Sequence, residues 1–378
     1  MRNVYVYNPF WSTFGGGEKY TLALAEALSQ LPEISVTLLP ANSFIHKADL
    51  EAFSHINLGR VGYRVCPSLA ELKQITRDVG VFVCLSNFKR VESFAQRHVQ
   101  LLQIPYRGIS AASILGKIFR GRLGDAAKDF YRMRLLSFSR DDADLVITNS
   151  QFVSDTLLRN FRIKSCVLYP PIQDFALEGF SRRHLILSVG RFFGKLYNDK
   201  RYDVLTDAFR RVSRSDLQGW EYHIVGNASA DSATEKMLSA LREQNKGFPV
   251  HFHVNCAFEK VRQLYNEATI FWHAAGYEVD EELRPENVEH FGMTTVEAMS
   301  AGCIPVVIKK GGQKEIILDG VNGFSWSTID ELISRSVGIA RGDVPLAEIR
   351  QNARKRSEDF GIDRFRHRAF ELFSPFFS

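Results

Sequence analysis

Two glutamates eight positions apart, Glu289 and Glu297, stand in the run 289–305, which reads Glu-His-Phe-Gly-Met-Thr-Thr-Val-Glu-Ala-Met-Ser-Ala-Gly-Cys-Ile-Pro. A helix start between them would leave Glu289 to act from a loop and Glu297 from a helix. A helix that starts around Gly292 aims its first free N–H groups and the positive end of its dipole outward, the arrangement that holds an anion. His290, Phe291, Met293 and Thr294 flank that start.

A second constellation supplies cations. Ser188-Val189-Gly190-Arg191 ends a strand-like run, and Lys200 follows where a helix begins. Arginine offers a planar two-pronged fork and lysine a point charge, the pair that a diphosphate needs. Gly15-Gly16-Gly17 lets backbone approach a ligand closely, with Glu18 placed to cap the next helix. His273, ending another strand, is open between a packed core ring and a polar ligand contact. Asp142-Ala143-Asp144 falls at the start of a strand, away from the strand ends, and reads as structural. The acids Glu278, Asp280, Glu281, Glu282 and Glu286 read as a solvated loop. The chain has no Gly-x-Ser-x-Gly elbow, no GxxxxGK[ST] loop and no HExxH helix, which removes serine hydrolases, P-loop enzymes and zincins.

Short apolar runs alternate with helical patterns and must position these residues. The runs 3–7, 34–39, 79–84, 98–104, 145–148 and 166–169 have the look of strands buried on both faces. Leu24, Leu28 and Leu31 line one face of a helix after Gly17. Pro170 and Pro171 break the pattern, and a boundary belongs there. Beyond it come strands at 185–189, 222–225, 250–254, 269–273 and 304–308, with a helix on Tyr202, Leu205, Phe209 and Val212. The pattern predicts an α/β chain of two doubly wound, Rossmann-like domains, residues 1–171 and 172–361, facing a cleft. Phe365, Ala369, Leu372 and Phe373 make 362–378 a closing helix that packs back toward the first domain.

The bulk numbers agree. The chain has 378 residues, 45% hydrophobic and 24% charged, with a net charge of +5, an ordinary globular composition. Uncharged runs such as 298–308 fall short of the ~20 residues that span a bilayer. The N-terminus lacks a secretory pattern, so the reading is cytoplasmic. Five scattered cysteines without a CxxC pair argue against disulfides and zinc. Within 107–140 eight Lys/Arg oppose two Asp, and they interleave with Ile114, Leu115, Ile118, Phe119 and Phe130. That mixture suits either a helix lying on an anionic membrane surface or a solvated basic helix; nucleic acid is not an expected partner.

Taken in order, Gly16-Gly17-Glu18, Asn149-Ser150-Gln151-Phe152, Tyr169-Pro170-Pro171, Gly190-Arg191 with Lys200, Val225-Gly226, and the Glu289–Glu297 block with Gly311-Gly312 and Glu315 resemble the family 4 retaining glycosyltransferases of GT-B fold. The Glu-His-Phe-Gly form and the Tyr-Pro-Pro junction are similar to mannosyltransferases that extend lipid-linked oligosaccharides. The resemblance implies transfer of a sugar, mannose among the candidates, from a nucleoside diphosphate to a glycan or lipid-linked acceptor in polysaccharide biosynthesis. Arg191 and Lys200 would hold the diphosphate, Glu297 the ribose, and Glu289 the sugar hydroxyls. Phe291, Gly292 and Met293 would offer backbone, and Gly16, Gly17, Gly190, Gly226, His273, His290 and Thr294 would complete the donor site. Gln103 stands where the family has a histidine, with Tyr106 nearby, and these two are the acceptor-side residues. No cofactor or metal is implied, since protein cations neutralise the leaving group; the chain would be peripheral on the cytoplasmic face of a membrane. A nucleotide-sugar 2-epimerase and a non-catalytic nucleotide-sugar-binding protein of the same fold are the alternatives.

Overall fold

A computed structural model describes residues 2–13, 15–41, 44–192 and 199–377. The chain divides into two compact units, 1–171 with 362–378, and 172–361.

In the first unit β1 (Arg2–Tyr7), α1 (Gly16–Ser29), β2 (Ile34–Leu39), α2 (Lys47–Ser54), β3 (Val61–Tyr63), α3 (Leu69–Ile75) and β4 (Val81–Leu85) follow one another. Then come β5 (Arg97–Leu102), α4 (Ala111–Phe119), α5 (Leu123–Asp141), β6 (Leu145–Thr148), α6 (Gln151–Phe161) and β7 (Cys166–Val167). All pairings are parallel, in the order β3-β2-β1-β4-β5-β6-β7. Parallel strands need helical crossovers, and covering both faces explains why β4 is buried at every position.

The second unit repeats the plan with β8 (Arg183–Val189), α7 (Tyr202–Val212), β9 (Glu221–Gly226), α8 (Ser232–Gln244), β10 (Val250–Val254), α9 (Phe258–Glu267) and β11 (Ala268–His273). It continues with α10 (Met293–Ser300), β12 (Ile304–Ile308), α11 (Gln313–Ile316), β13 (Phe324–Trp326), α12 (Ile329–Arg341) and α13 (Leu346–Glu358). The order β10-β9-β8-β11-β12-β13 reverses between β8 and β11. Such a reversal opens a crevice at the carboxyl ends of the two strands flanking it. Arg191 and His273 sit at those two ends.

The three-residue strands β3 and β13 each lie at a sheet edge and are absent from the sequence-based expectation, because three residues are too short to show a period.

The chain then returns to the first unit as α14 (Ile362–Phe373). Phe365, Ala369 and Phe373 enter the same apolar cluster as Leu24 and Leu28 of α1, and the Phe365 ring meets Tyr20 edge-on at 5.6 Å. Arg366 adds a two-pronged contact to Glu26 at 2.9 and 3.2 Å. All five cysteines are free thiols.

Candidate active site

The crevice of the second unit is built on a close approach of two strand ends. The Gly190 amide donates to the Val225 carbonyl at 2.9 Å, and Phe192 N–H donates to the Asn227 carbonyl at 2.8 Å. A methyl group on Gly226 would overlap the Gly190 carbonyl, so only glycine fits there. The hydroxyl of buried Tyr202, at the first turn of α7, donates to that same carbonyl at 2.8 Å. Phe192 is buried against Tyr202, which leaves Arg191 exposed on the opposite side of the extended segment. The stem of Lys200 lies over Gly190: a Cβ there would come within 3.0 Å of its Cγ.

Lys200 Nζ donates to Glu289 Oε2 at 2.6 Å, and His273 Nε2 lies 3.0 Å from the same oxygen. His273 is only 3% exposed. Burial favours its neutral form and lowers its pKa, against the pull of Glu289. With Nε2–H donating to the carboxylate, Nδ1 carries the lone pair; among the described residues that buried nitrogen meets no hydrogen-bond partner. Burial alone would raise the Glu289 pKa, but the Lys200 ammonium and the His273 hydrogen bond outweigh it and hold the carboxyl well below the usual range. The pocket floor is therefore a fixed ammonium–carboxylate pair braced by a neutral imidazole.

The main chain of Glu289 is anchored as well, its carbonyl accepting from Gly312 N–H at 2.8 Å. Gly292 then caps α10 with φ +120°, a conformation that disfavours any side chain; a Cβ would also lie 2.8 Å from Gln313 Nε2. The Gly292 carbonyl accepts from Thr295 and Val296, so the amides of Met293 and Thr294 precede the helical ladder. Glu297 Oε2 accepts from the Tyr265 hydroxyl at 2.9 Å, which also reaches the Thr294 carbonyl at 3.3 Å. Burial and the neighbouring Glu297 hold that phenol protonated as a donor. Phe291 turns its ring into the core against Phe360 at 5.3 Å, and His290 Nε2 sits 3.1 Å from the Glu286 carbonyl. The Phe291 ring is thus part of the core packing.

A model of glycosyl transferases group 1 matches residues 172–336. Over that span the second unit is similar to the glycosyl transferases group 1 family. A GDP-Man:Man(3)GlcNAc(2)-PP-Dol alpha-1,2-mannosyltransferase of Xenopus laevis is 24% identical over 245 residues, 61% of this chain and 47% of that protein. A mannosylfructose-phosphate synthase of Agrobacterium fabrum is 26% identical over 185 residues, 45% of this chain and 38% of its own length. The chain thus spans about half the length, or less, of these relatives. Among solved structures, a glycosyltransferase from Rickettsia africae superposes with a TM-score of 0.74 at 15% identity, covering 100% of this chain and 99% of its own. Anabaena HepE in complex with UDP-glucose gives 0.72 at 16% identity over 99% and 100% of the two chains. These likenesses show a GT-B fold.

In the first unit, Gly16 and Gly17 open α1, where the Gly15 amide donates to Glu18 Oε2 at 2.7 Å. A Cβ on Gly17 would come 3.0 Å from Gln103 Oε1, so the helix start and the end of β5 meet. Asn87 holds the Gln103 amide at 2.9 Å. Tyr106 departs from its expected place: it is 2% exposed, packs with Leu102, Leu136 and Val153, and takes Arg132 over its ring at 5.5 Å. Core packing claims that ring.

Two further expectations change. The acidic loop is only partly solvated: Glu286 is buried, and Glu281 accepts from Gly311 N–H at 2.8 Å and Lys314 Nζ at 2.6 Å, because the loop folds onto 311–314. In the basic segment, buried Asp129 gathers Lys117, with Arg107 and Arg132 each at 3.6 Å, so three of the cations serve the unit's interior. Asp144 is structural, binding Arg97 at 2.8 Å and the His98 amide at 2.7 Å.

Tyr265, Tyr202 and Gln313 lie against Glu297, Gly190 and Gly292 and carry no motif that would single them out in the sequence. Tyr202 is visible only as part of an apolar stripe, and a tyrosine's hydroxyl partner carries no pattern. Gln313 follows Gly311-Gly312 directly, and that placement was its one signal.

Proposed function

We propose that the chain is a retaining, family 4 glycosyltransferase that moves a sugar, mannose first among the candidates, from a nucleoside diphosphate to a glycan or lipid-linked acceptor. The observation that carries this reading is the Lys200–Glu289–His273 cluster at the strand-order reversal, beside the N-terminus of α10. Rupture of the anomeric bond builds negative charge on the departing phosphate and positive charge on the ring. Fixed cations and amides stabilise the first, and a permanently ionised carboxylate suits the second. Arg191, Lys200 and the α10 amides have the first role; Glu289 has the second, and Glu297, oriented by Tyr265, binds donor hydroxyls. The transfer step uses these cations in place of a metal. The relatives named for mannosyl transfer support mannose as the first sugar to test.

The acceptor side includes Gln103, and the chain works as a peripheral protein on the cytoplasmic membrane face in polysaccharide biosynthesis. Supporting this, the α4–α5 turn leaves Leu115, Ile118, Phe119 and Leu123 exposed, Phe119 at 87%, alongside exposed Arg120 and Arg122. Apolar side chains ringed by arginine fit an anionic lipid surface. No helix among the described residues is long and apolar enough to cross a membrane.

The test is product analysis with GDP-mannose and UDP-sugars, with and without a lipid-linked acceptor. Acceptor-dependent release of nucleoside diphosphate with an extended glycolipid is the expected result. A free isomerised nucleotide sugar formed without acceptor would instead indicate an epimerase.

A further inference from the structure

The outer edge of the second sheet carries a group of imidazoles. Strand alternation puts Tyr222 and Ile224 of β9, with Val250, Phe252 and Val254 of β10, into the core. The opposite face of the same strands therefore carries Glu221, His223, His251 and His253. The parallel register sets His251 beside His223. One ligand atom each from Glu221, His223 and His251 lie within 4.8 Å of one another. We propose that these three residues bind a divalent transition-metal ion of the zinc class, with His253 orienting His223.

The donor set decides the class of ion. Two imidazoles and a carboxylate suit zinc, cobalt or nickel, whereas calcium and magnesium prefer oxygen alone. Zinc at about 2.0–2.1 Å from each donor holds its ligands about 3.4 Å apart, so the side chains close by up to about 1.4 Å. His251 is exposed and Glu221 half-exposed, which leaves them room to make it. His223 is the buried anchor, its Nε2 already 3.2 Å from Glu221 Oε2.

The second nitrogen of His223 is also provided for. His223 Nδ1 lies 3.1 Å from His253 Nε2. With the ion on Nε2, the ring proton sits on Nδ1 and is donated to His253, the outer hydrogen bond that metal-ligating histidines use. Two cations face the group. Arg183 on β8 donates to Glu221 Oε2 at 2.9 Å but also holds Glu267 at 3.0 Å, so it keeps a partner when Glu221 turns to the ion. Lys260 on α9 lies near His253 and, after burial, lowers its basicity. An ion here would staple the edge strand β10 to β9, whose common end continues into Asn255 holding the Gly226 carbonyl and the Ala228 amide at 3.0 and 2.9 Å.

The experiment is calorimetric titration of ZnCl2 into the tag-free, EDTA-stripped full chain, with CoCl2 absorption as a second readout. The expected result is one equivalent bound, a visible cobalt spectrum and a raised melting temperature. His251→Gln and Glu221→Gln, which change exposed or half-exposed side chains and leave the apo melting temperature in place, should abolish the site. His253→Gln should weaken it about ten- to a hundredfold. If the wild type binds zinc no more tightly than His251→Gln, or if the stoichiometric heat survives both substitutions, the proposal fails.

Discussion

Lys200 and Glu289 lie 89 positions apart in sequence, yet their ammonium and carboxylate meet at 2.6 Å against the strand ends of one sheet. Both side chains are largely shielded, at 18% and 13% exposure, so the pair is much less screened than a surface ion pair. A lysine has three donors and spends one on Glu289, leaving the others for a phosphate.

Glu289→Gln keeps the shape but leaves Lys200 without its counter-charge, and under the proposed function it would remove the negative field at the sugar ring. Turnover should fall by about 10²- to 10³-fold, the scale of a preorganised electrostatic contact. Steady-state kinetics together with a thermal melt separate lost chemistry from lost folding.

Acid should destabilise the second unit in two stages. His273 and His223 have folded pKa values below the ordinary 6.5, so between 6.5 and those values the unfolded chain takes up protons that the folded chain does not. Their contribution is complete above about pH 6.5 and is lost as pH falls, to about 4 for His223. Glu289, with a lowered pKa, adds stability that is present above about pH 4.5 and disappears further down. Melting temperatures of the metal-free protein should be level from pH 7 to 8 and decline from pH 6.5. His273→Gln should flatten the upper part of that decline; an unchanged slope would contradict the neutral assignment.

Two glycines should respond in opposite directions. Gly226→Ala collides with the Gly190 carbonyl and should lower both melting temperature and donor binding. Gly338→Ala, inside α12 with open space around it, should stabilise by about 0.5–1 kcal/mol. Differential scanning calorimetry of both variants checks the contrast.

Under the proposed function, side chains and amides would neutralise the leaving group, so chelation should leave sugar transfer intact. If EDTA stops turnover and Mg2+ or Mn2+ restores it, that assignment of charge is wrong. The zinc-class site on β9 and β10 would show itself in the same treatment as a lower melting temperature only.

At the α4–α5 turn, Phe119→Ser with Leu123→Ser should reduce flotation with anionic liposomes while leaving the melt unchanged, as both side chains are exposed. Equal flotation of variant and wild type would remove the membrane reading.

Much of this was legible in the sequence because the buried strands are continuous apolar runs: 185–189, 250–254 and 304–308 fall within or on β8, β10 and β12. The expected helix start around Gly292 agrees with an α10 that begins at Met293, since a glycine before a helical run marks a turn in any context. What the sequence hid is tertiary. Tyr106 reads as a polar strand-end residue, but α5 and α6 close over it. The positive charge of 107–140 reads as one surface, but Asp129 draws three of its cations inward. The His223 group is invisible along the chain because 223 and 251 meet only through strand pairing.

The most direct measurement is kcat for Lys200→Met and Arg191→Ala at saturating donor, with melting temperatures as the folding control. A drop of about 10²-fold or more in each, with the fold intact, is the predicted result for cations placed at a departing diphosphate. Turnover undiminished in both variants would contradict it.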